Sequence, residues 1–210
     1  MKKRDYPLII LLLTTILTLI TFIYDSQIIR FIQPLHNAKL DYIFNSVAYA
    51  SNILIIFFFL TSLFLWKEHK RRWILPLWLS GVISIAISYI LKVSVHRLRP
   101  FQKEPIEIFV TILYFMKDNF NTWNFSFPSF QSMFVFSSLP ILTKEFPRFK
   151  YIWLIFACLV AFSRVYFGAH YLSDVMAGAI IGYLIGYIIV KLEEKYQTSL
   201  RITKKLKLAK

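Results

Sequence analysis

Long apolar segments alternate with short polar and basic segments along the chain. A helix that crosses a bilayer needs about 20 apolar residues. Segments that approach or reach this length run from about Pro7 to Tyr24, Ile43 to Trp66, Trp73 to Val95, Pro128 to Thr143, Tyr151 to Phe167 and Leu172 to Val190. The pattern predicts an all-α, polytopic membrane bundle of about six transmembrane helices.

Basic residues are concentrated in alternate connections between these segments. The two termini and the connections after the second and fourth segments hold 17 of the 25 Lys and Arg residues. Because positively charged loops stay in the cytoplasm, we expect both termini to be cytoplasmic. Residues 25–41, 96–125 and 168–171 are then extracytoplasmic. Residues 1–194 are expected to form one membrane-embedded domain, and residues 195–210 a basic cytoplasmic tail.

The composition supports a membrane protein and excludes other classes. Hydrophobic residues make up 57% of the 210 residues, whereas soluble domains are about 45–50% apolar. The net charge is +14, and the Lys and Arg residues that produce it lie between apolar segments. This placement favours anionic lipid headgroups over nucleic acid as a partner. Cys158 is the single cysteine, so the chain has no intrachain disulfide and no Cys-based metal site. The sequence does not indicate an oligomeric state.

The first polar cluster of interest ends the third apolar segment. Lys92 and Arg99 are seven residues apart, so two helical turns bring them to one face. Pro100 ends the helix there. Two cations at a helix end suit a bound phosphate, although basic residues beside a membrane span also reach lipid headgroups without any further role.

The second cluster begins the fourth apolar segment. Pro128 suits the first turn of a helix, which would leave the backbone N–H groups of Ser129, Phe130 and Gln131 unpaired and pointing outward. Such a helix N-terminus binds anions through its amides and its dipole. Ordinary helix capping by a serine is the alternative interpretation.

The third cluster connects the last two apolar segments and consists of Ser163-Arg164, His170 and Asp174. His170 and Asp174 are four residues apart and share a face if the helix begins near Tyr171. A carboxylate that accepts one ring N–H fixes the histidine tautomer and leaves the other nitrogen free to attack. A polar pair that packs two helices together is the alternative, but ionisable residues near membrane depth usually have a function.

The three clusters together resemble the three-part signature of the type-2 phosphatidic acid phosphatase superfamily, which includes bacterial undecaprenyl-diphosphate phosphatases. The resemblance covers roughly Lys92 to Asp174. It implies that His170 is the nucleophile, which forms a phosphohistidine, and that Asp174 orients it. It also implies a phosphorylated lipid as substrate and needs neither a metal nor another cofactor.

The remaining matched positions imply a phosphate-binding set. In the family, cationic side chains clamp the phosphate and stabilise the transition state, which agrees with general charge stabilisation. A serine and the adjoining start of a helix donate hydrogen bonds to the phosphate. The corresponding residues are Lys92, Arg99, Ser129, Phe130, Gln131 and Arg164.

The second cluster departs from the family sequence, which is Pro-Ser-Gly-His. Phe130 replaces the glycine, and Gln131 replaces the histidine that serves as general acid. Glutamine cannot transfer a proton, and general acid catalysis contributes about 10²–10⁴-fold. Three hypotheses remain open: a diphosphate substrate whose phosphate leaving group, with a pKa of about 6, needs little protonation; proton donation by another residue such as His96; or a site that binds phosphate without turnover.

We therefore expect a lipid phosphatase at the outer face of the plasma membrane, with a polyprenyl diphosphate as the preferred substrate. Phosphatidic acid or phosphatidylglycerol phosphate comes next. The alternative is a catalytically impaired member that binds lipid phosphate or a protein partner. His36 and His69 are expected to be surface residues.

Overall fold

The computed structural model describes residues 6–103 and 125–205, and these ranges contain helices and no strand. The helices are α1 (Tyr6–Ile32), α2 (Ala38–Ala50), α3 (Ile53–Leu65), α4 (Ile74–Val95), α5 (Pro100–Lys103), α6 (Phe130–Glu145), α7 (Lys150–Tyr166), α8 (Leu172–Tyr196) and α9 (Thr198–Lys205). Short 3-10 helices lie at Gln33–Leu35, Glu68–Trp73 and Pro147–Phe149. Much of the expected outer connection, residues 104–124, lies outside the described residues.

Four helical segments are long and apolar enough to cross a membrane: Leu12–Leu35, Glu68–Gln102, Pro147–Tyr166 and Leu172–Tyr196. Helices α2 and α3 together make a fifth candidate, bent by 61°. Helix α6 has 16 residues, fewer than the roughly 20 that a span needs. The described residues therefore confirm an all-helical, multi-pass class with four or five candidate spans, and the sixth span stays a prediction.

The bend between α2 and α3 corrects the continuous segment predicted from Ile43 to Trp66. Helix α2 ends at Ala50, and the side chain of Asn52 caps a new helix by accepting a hydrogen bond from the Leu54 amide at 3.0 Å. An asparagine at this position satisfies an amide that a helix start leaves unpaired. The apolar composition continues across the bend and conceals it.

Helices α6 and α8 pack closely because glycines line the contact. A Cβ atom on Gly182 would lie 2.1 Å from the carbonyl oxygen of Met133, and one on Gly178 would lie 2.5 Å from that of Ser129. Small residues at such positions let helix backbones approach each other. This packing places the start of α6 beside the start of α8, so the second and third sequence clusters become neighbours.

The basic connections meet at the opposite end of the same helices. Glu145, at the end of α6, accepts hydrogen bonds from the Arg72 guanidinium at 3.2 Å and from the Trp73 indole at 2.5 Å. Lys144 and Glu194 form an ion pair at 2.5 Å. The structure therefore separates a basic end from the end that holds the candidate site.

Candidate active site

His170 lies in the connection between α7 and α8, with only 2% of its surface exposed. Its Nδ1 is 2.7 Å from the backbone carbonyl oxygen of Ser126, and its Nε2 is 3.5 Å from Nη1 of Arg99. A carbonyl oxygen only accepts hydrogen bonds, so Nδ1 carries the proton. In the neutral ring, Nε2 then holds the lone pair and faces the guanidinium.

The surroundings of His170 favour its neutral form. Burial, followed by the positive charges of Arg99 and Lys92, holds the pKa of His170 well below its ordinary value of 6.5. The hydrogen bond to the Ser126 carbonyl acts in the opposite direction, and the charge of Arg164 lowers the pKa further. A neutral imidazole with one free nitrogen is the form that can act as a nucleophile.

Three buried cations surround this imidazole. Lys92, Arg99 and Arg164 are 1%, 6% and 9% exposed. Lys92 Nζ donates to the Phe125 carbonyl at 2.5 Å, and Arg99 Nη1 donates to the Ala169 carbonyl at 3.1 Å. Burying three like charges is costly without a compensating anion. The arrangement therefore suits an anionic ligand, as the sequence resemblance implies for these residues.

Arg164 also contacts the bend between α2 and α3. Its Nη2 donates to the Ser51 hydroxyl, while its buried Nε has no hydrogen-bond partner among the described residues. An unsatisfied buried donor costs about 1–3 kcal/mol. This nitrogen is therefore a donor that a bound oxyanion could satisfy.

The start of α6 differs in detail from the prediction. The helix begins at Phe130, after an extended Ser129, and the Ser129 N–H donates to the Asp174 carbonyl at 3.0 Å. The prediction that this N–H is unpaired is therefore wrong, because the close approach of α8 supplies an acceptor. The Ser129 hydroxyl is buried and has no partner among the described residues, so the side chain can still donate to a phosphate. The Phe130 ring packs in the apolar core beside Phe134, and Gln131 is half-buried on the first turn.

Asp174 reaches His170 through an intermediate residue. Its Oδ2 is 3.9 Å from His170 Nδ1, beyond hydrogen-bonding distance. It accepts instead from the Ser126 hydroxyl and from the Tyr171 amide at 2.8 Å, and its Oδ1 accepts from Arg97 at 2.6 Å. In this structure Asp174 holds Ser126, and the carbonyl of Ser126 holds the imidazole.

The sequence interpretation missed Arg97, Ser126 and Asp25. Asp25 was assigned to an outer connection, but it lies within α1 and is only 3% exposed. Its carboxylate accepts from Arg97 Nη2 at 2.7 Å. A carboxylate near the end of an otherwise apolar helix is itself a signal for function, and this signal was available in the sequence.

Two other histidines occupy different environments. The prediction that His36 is a surface residue is wrong, because its side chain is 6% exposed and lies 2.8 Å from Asp41 and 3.0 Å from the Tyr166 carbonyl. His96, considered above as a proton donor, is exposed, with its ring 4.7 Å from that of Phe125. In residues 6–103 and 125–205, no cluster of three His, Cys, Asp or Glu side chains is arranged to hold a metal ion.

Comparisons with known proteins agree with this geometry. A sequence profile of the PAP2 superfamily matches residues 73–197, more than half of the chain. An undecaprenyl-diphosphatase of Sulfolobus acidocaldarius is 27% identical over 205 residues, which cover 92% of this chain and 93% of that protein. The crystal structure of a transmembrane PAP2 type phosphatidylglycerolphosphate phosphatase from Bacillus subtilis has a TM-score of 0.68 at 20% identity, covering 89% of this chain and 96% of that one. Aquifex aeolicus LpxE has a TM-score of 0.63 at 26% identity, covering 80% and 94%.

Proposed function

The chain belongs to the PAP2 superfamily as a membrane lipid phosphatase, and we propose that it removes the terminal phosphate of a polyprenyl diphosphate. One observation carries this proposal: the site has an oriented, neutral His170 beside three buried cations, but it has Gln131 at the position where the family has its general acid. The relative from Sulfolobus acidocaldarius is an undecaprenyl-diphosphatase, which supports a substrate of this class.

The geometry supports a two-step transfer. In the first step, the lone pair on His170 Nε2 forms a bond to the terminal phosphorus while the P–O bond to the lipid monophosphate breaks. The lipid monophosphate departs with the electron pair of the broken P–O bond. The proton stays on Nδ1, which continues to donate a hydrogen bond to the Ser126 carbonyl. In the second step, water attacks the phosphorus, the P–N bond breaks with its electron pair returning to His170 Nε2, and the protons of water leave with inorganic phosphate. Lys92, Arg99 and Arg164 neutralise the charge on the phosphoryl oxygens.

Gln131 favours a diphosphate over a monoester. The leaving phosphate of a diphosphate has a pKa of about 6, so it departs without a proton donor. A lipid alkoxide is almost as basic as hydroxide, so it needs a proton in order to leave. A side-chain amide donates hydrogen bonds but has no acidic proton to transfer.

The site is proposed to open at the outer face of the plasma membrane. Its residues lie at one end of α4, α6, α7 and α8, and the basic connections lie at the other end. Because basic connections stay in the cytoplasm, the site end faces outward, with both chain termini inside.

Phosphate release from purified protein in detergent tests the substrate assignment. We expect rapid release from a polyprenyl diphosphate and release slower by about 10²-fold or more from phosphatidic acid and phosphatidylglycerol phosphate. His170→Ala is expected to abolish release from every lipid, since it removes the proposed nucleophile. His96→Ala is the matched control for a nearby histidine and should leave turnover unchanged.

Two outcomes would contradict the proposal. Equal turnover of the diphosphate and both monophosphates would remove the leaving-group argument. Near-normal activity of His170→Ala would remove the nucleophile. If His96→Ala lowers kcat and leaves KM unchanged, His96 would instead be the proton donor.

A further inference from the structure

Arg97 is half-buried and lies between two buried carboxylates from different helices. Its Nη1 donates to Asp174 Oδ1 at 2.6 Å and to the Ser173 hydroxyl at 2.7 Å, while its Nη2 donates to Asp25 Oδ2 at 2.7 Å. The guanidinium also lies 4.4 Å from the Phe22 ring centre and 4.1 Å from that of Tyr171. Two aromatic faces and two ion pairs therefore hold the plane of the guanidinium.

Asp25 comes from a part of the chain that the superfamily profile does not match. The matched residues are 73–197, and Asp25 lies on α1. Its Oδ1 accepts from the Ser173 amide at 3.1 Å, and its Oδ2 accepts from the Ser173 hydroxyl. Helix α1 thus supplies a carboxylate directly to the first turn of α8.

The charges explain why these groups occur together. Asp25 and Asp174 are 3% and 0% exposed, and two buried carboxylates in one cluster repel each other unless a cation lies between them. Arg97 is that cation. Its planar fork bonds both carboxylates in fixed directions, which a lysine ammonium does not reproduce.

The cluster continues to the reactive imidazole. Arg97 holds Asp174 Oδ1, Asp174 Oδ2 accepts from the Ser126 hydroxyl, and the Ser126 carbonyl accepts from His170 Nδ1 at 2.7 Å. The Ser126 amide also donates to the Arg97 carbonyl at 2.7 Å. Arg97 therefore holds Ser126, whose carbonyl selects the tautomer of His170, at two points: at its amide directly and at its hydroxyl through Asp174.

We propose that the Asp25–Arg97 pair is a positioning device for the phosphatase reaction, through which helix α1 sets the orientation and tautomer of His170. The proposal rests on the proposed function, because it assumes that His170 is the nucleophile. Neither residue touches the reacting atoms, so both act through Asp174 and Ser126.

Asp25→Asn separates positioning from simple helix packing. The amide keeps an oxygen for the Ser173 N–H but removes the charge that holds Arg97. We expect kcat for release of phosphate from a polyprenyl diphosphate to fall about 10- to 100-fold, as for other residues that orient a reactive group from behind, with KM nearly unchanged. Thr21→Val is the matched control, because Thr21 is a buried polar residue one turn earlier on α1. Its hydroxyl donates to the Thr18 carbonyl at 2.8 Å and to Met176 Sδ at 3.8 Å, and it bonds neither carboxylate nor Arg97. It should leave kcat unchanged.

A double-variant measurement tests the coupling. If Asp25 acts through Arg97, the kcat of Asp25→Asn/Arg97→Gln should equal that of Arg97→Gln alone. Multiplicative losses, or a normal kcat in Asp25→Asn, would overturn the proposal. If Asp25→Asn is not monodisperse in detergent, Arg97→Lys makes the same test, since it keeps the charge and loses the fork.

A spectroscopic measurement keeps the proposal testable apart from turnover. In protein labelled with [15N]histidine, the His170 signals are those absent from His170→Ala. We expect Asp25→Asn to shift or broaden them, and Thr21→Val to leave them in place. Unchanged signals in Asp25→Asn would overturn the positioning role even if wild-type protein cleaved no lipid. If the wild type is inactive but Asp25→Asn still shifts the His170 signals, the proposed function is wrong and the structural coupling between Asp25 and His170 stands.

Discussion

At the scale of single residues, the hydrogen-bond partners of His170 select its protonation state and tautomer. The Ser126 carbonyl requires a proton on Nδ1, and Arg99 approaches Nε2 as a donor. Both contacts favour the neutral ring with its lone pair on Nε2. The direction of its pKa shift therefore has a measurable consequence.

We expect His170 to remain neutral as the pH falls through 6.5, because burial and the charges of Arg99 and Lys92 hold its pKa well below that value. The neutral form is present above the depressed pKa and is lost only when the pH falls through it. Between that pKa and 6.5 the unfolded chain binds a proton that the folded protein does not, so acidification there also lowers stability. Titration of the His170 15N signals measures the midpoint. A midpoint at or above 6.5 would contradict the buried, cation-surrounded site.

Gln131 makes a second prediction at this scale. Gln131→His restores an acidic proton at the family's position, so turnover of phosphatidic acid should rise, by up to about 10²-fold. Turnover of a polyprenyl diphosphate should change little, because its leaving group needs no proton. Phosphate release from both lipids is the measurement.

Gln131→Leu is the control for this prediction, since it changes shape and removes the amide without adding an acid. An equal gain in Gln131→Leu would show that proton transfer is not the cause. No gain in Gln131→His, together with retained binding of phosphatidic acid, would favour a member that binds lipid phosphate without turnover.

The sequence predicted the residues around the imidazole better than the contacts among them. Residue type singled out His170, Arg99 and Lys92, and the structure brings them together. The spacing argument for one shared helix face is wrong, because α4 ends before it reaches Arg99. Spacing also suggested that Asp174 bonds His170 directly, whereas the carbonyl of Ser126 takes that position. Contacts between residues distant in sequence depend on how helices pack, and no local pattern records that.

At the scale of secondary-structure elements, the contact between α6 and α8 aligns the site. The start of α6 carries Ser129, and the start of α8 carries Asp174, whose carbonyl accepts from the Ser129 amide. The glycines of α8 permit this approach. Helix periodicity predicted both helices but not their separation, which depends on side-chain size at the contact.

Gly182→Ala should destabilise the protein and lower activity with it. The new Cβ would lie 2.1 Å from the Met133 carbonyl oxygen, and backbone atoms cannot move aside without shifting α6. Overpacking typically costs about 1–3 kcal/mol. Gly81→Ala is the matched control, because the atom nearest to its Cβ would be in the Phe134 ring at 2.9 Å, and a side chain can move more easily than backbone. Loss of the monodisperse peak after heating measures both, and equal stability of the two variants would contradict the packing argument.

The bend between α2 and α3 shows where element prediction fails for a physical reason. Apolar composition is continuous from Ile43 to Trp66, so a hydropathy pattern gives one helix. The break depends on the cap at Asn52 and on the Ser51 hydroxyl, which accepts from Arg164. Both contacts involve only a few polar atoms, so they hardly change the mean hydropathy of the long apolar segment.

At the scale of the whole molecule, the helices separate charge by function. Buried cations gather at the site end, where Lys92, Arg99 and Arg164 can meet a lipid phosphate. Exposed or half-buried basic residues gather at the other end, where Lys70 and Arg72 contact the end of α6. The first group suits catalysis and the second suits retention in the cytoplasm, so the orientation of the bundle decides which leaflet supplies the substrate.

Single-cysteine labelling tests that orientation. Cys158 is the chain's one cysteine, so Cys158→Ser gives a background into which His96→Cys or Arg148→Cys is introduced, both at exposed positions at opposite ends of the bundle. A membrane-impermeant maleimide applied to intact cells should label His96→Cys if the site end faces outward as proposed, and should label Arg148→Cys only after lysis. The reverse pattern would place the site in the cytoplasm, where it would act on lipid diphosphates of the inner leaflet. Labelling of both in intact cells would mean that the basic connections do not hold the chain in one orientation.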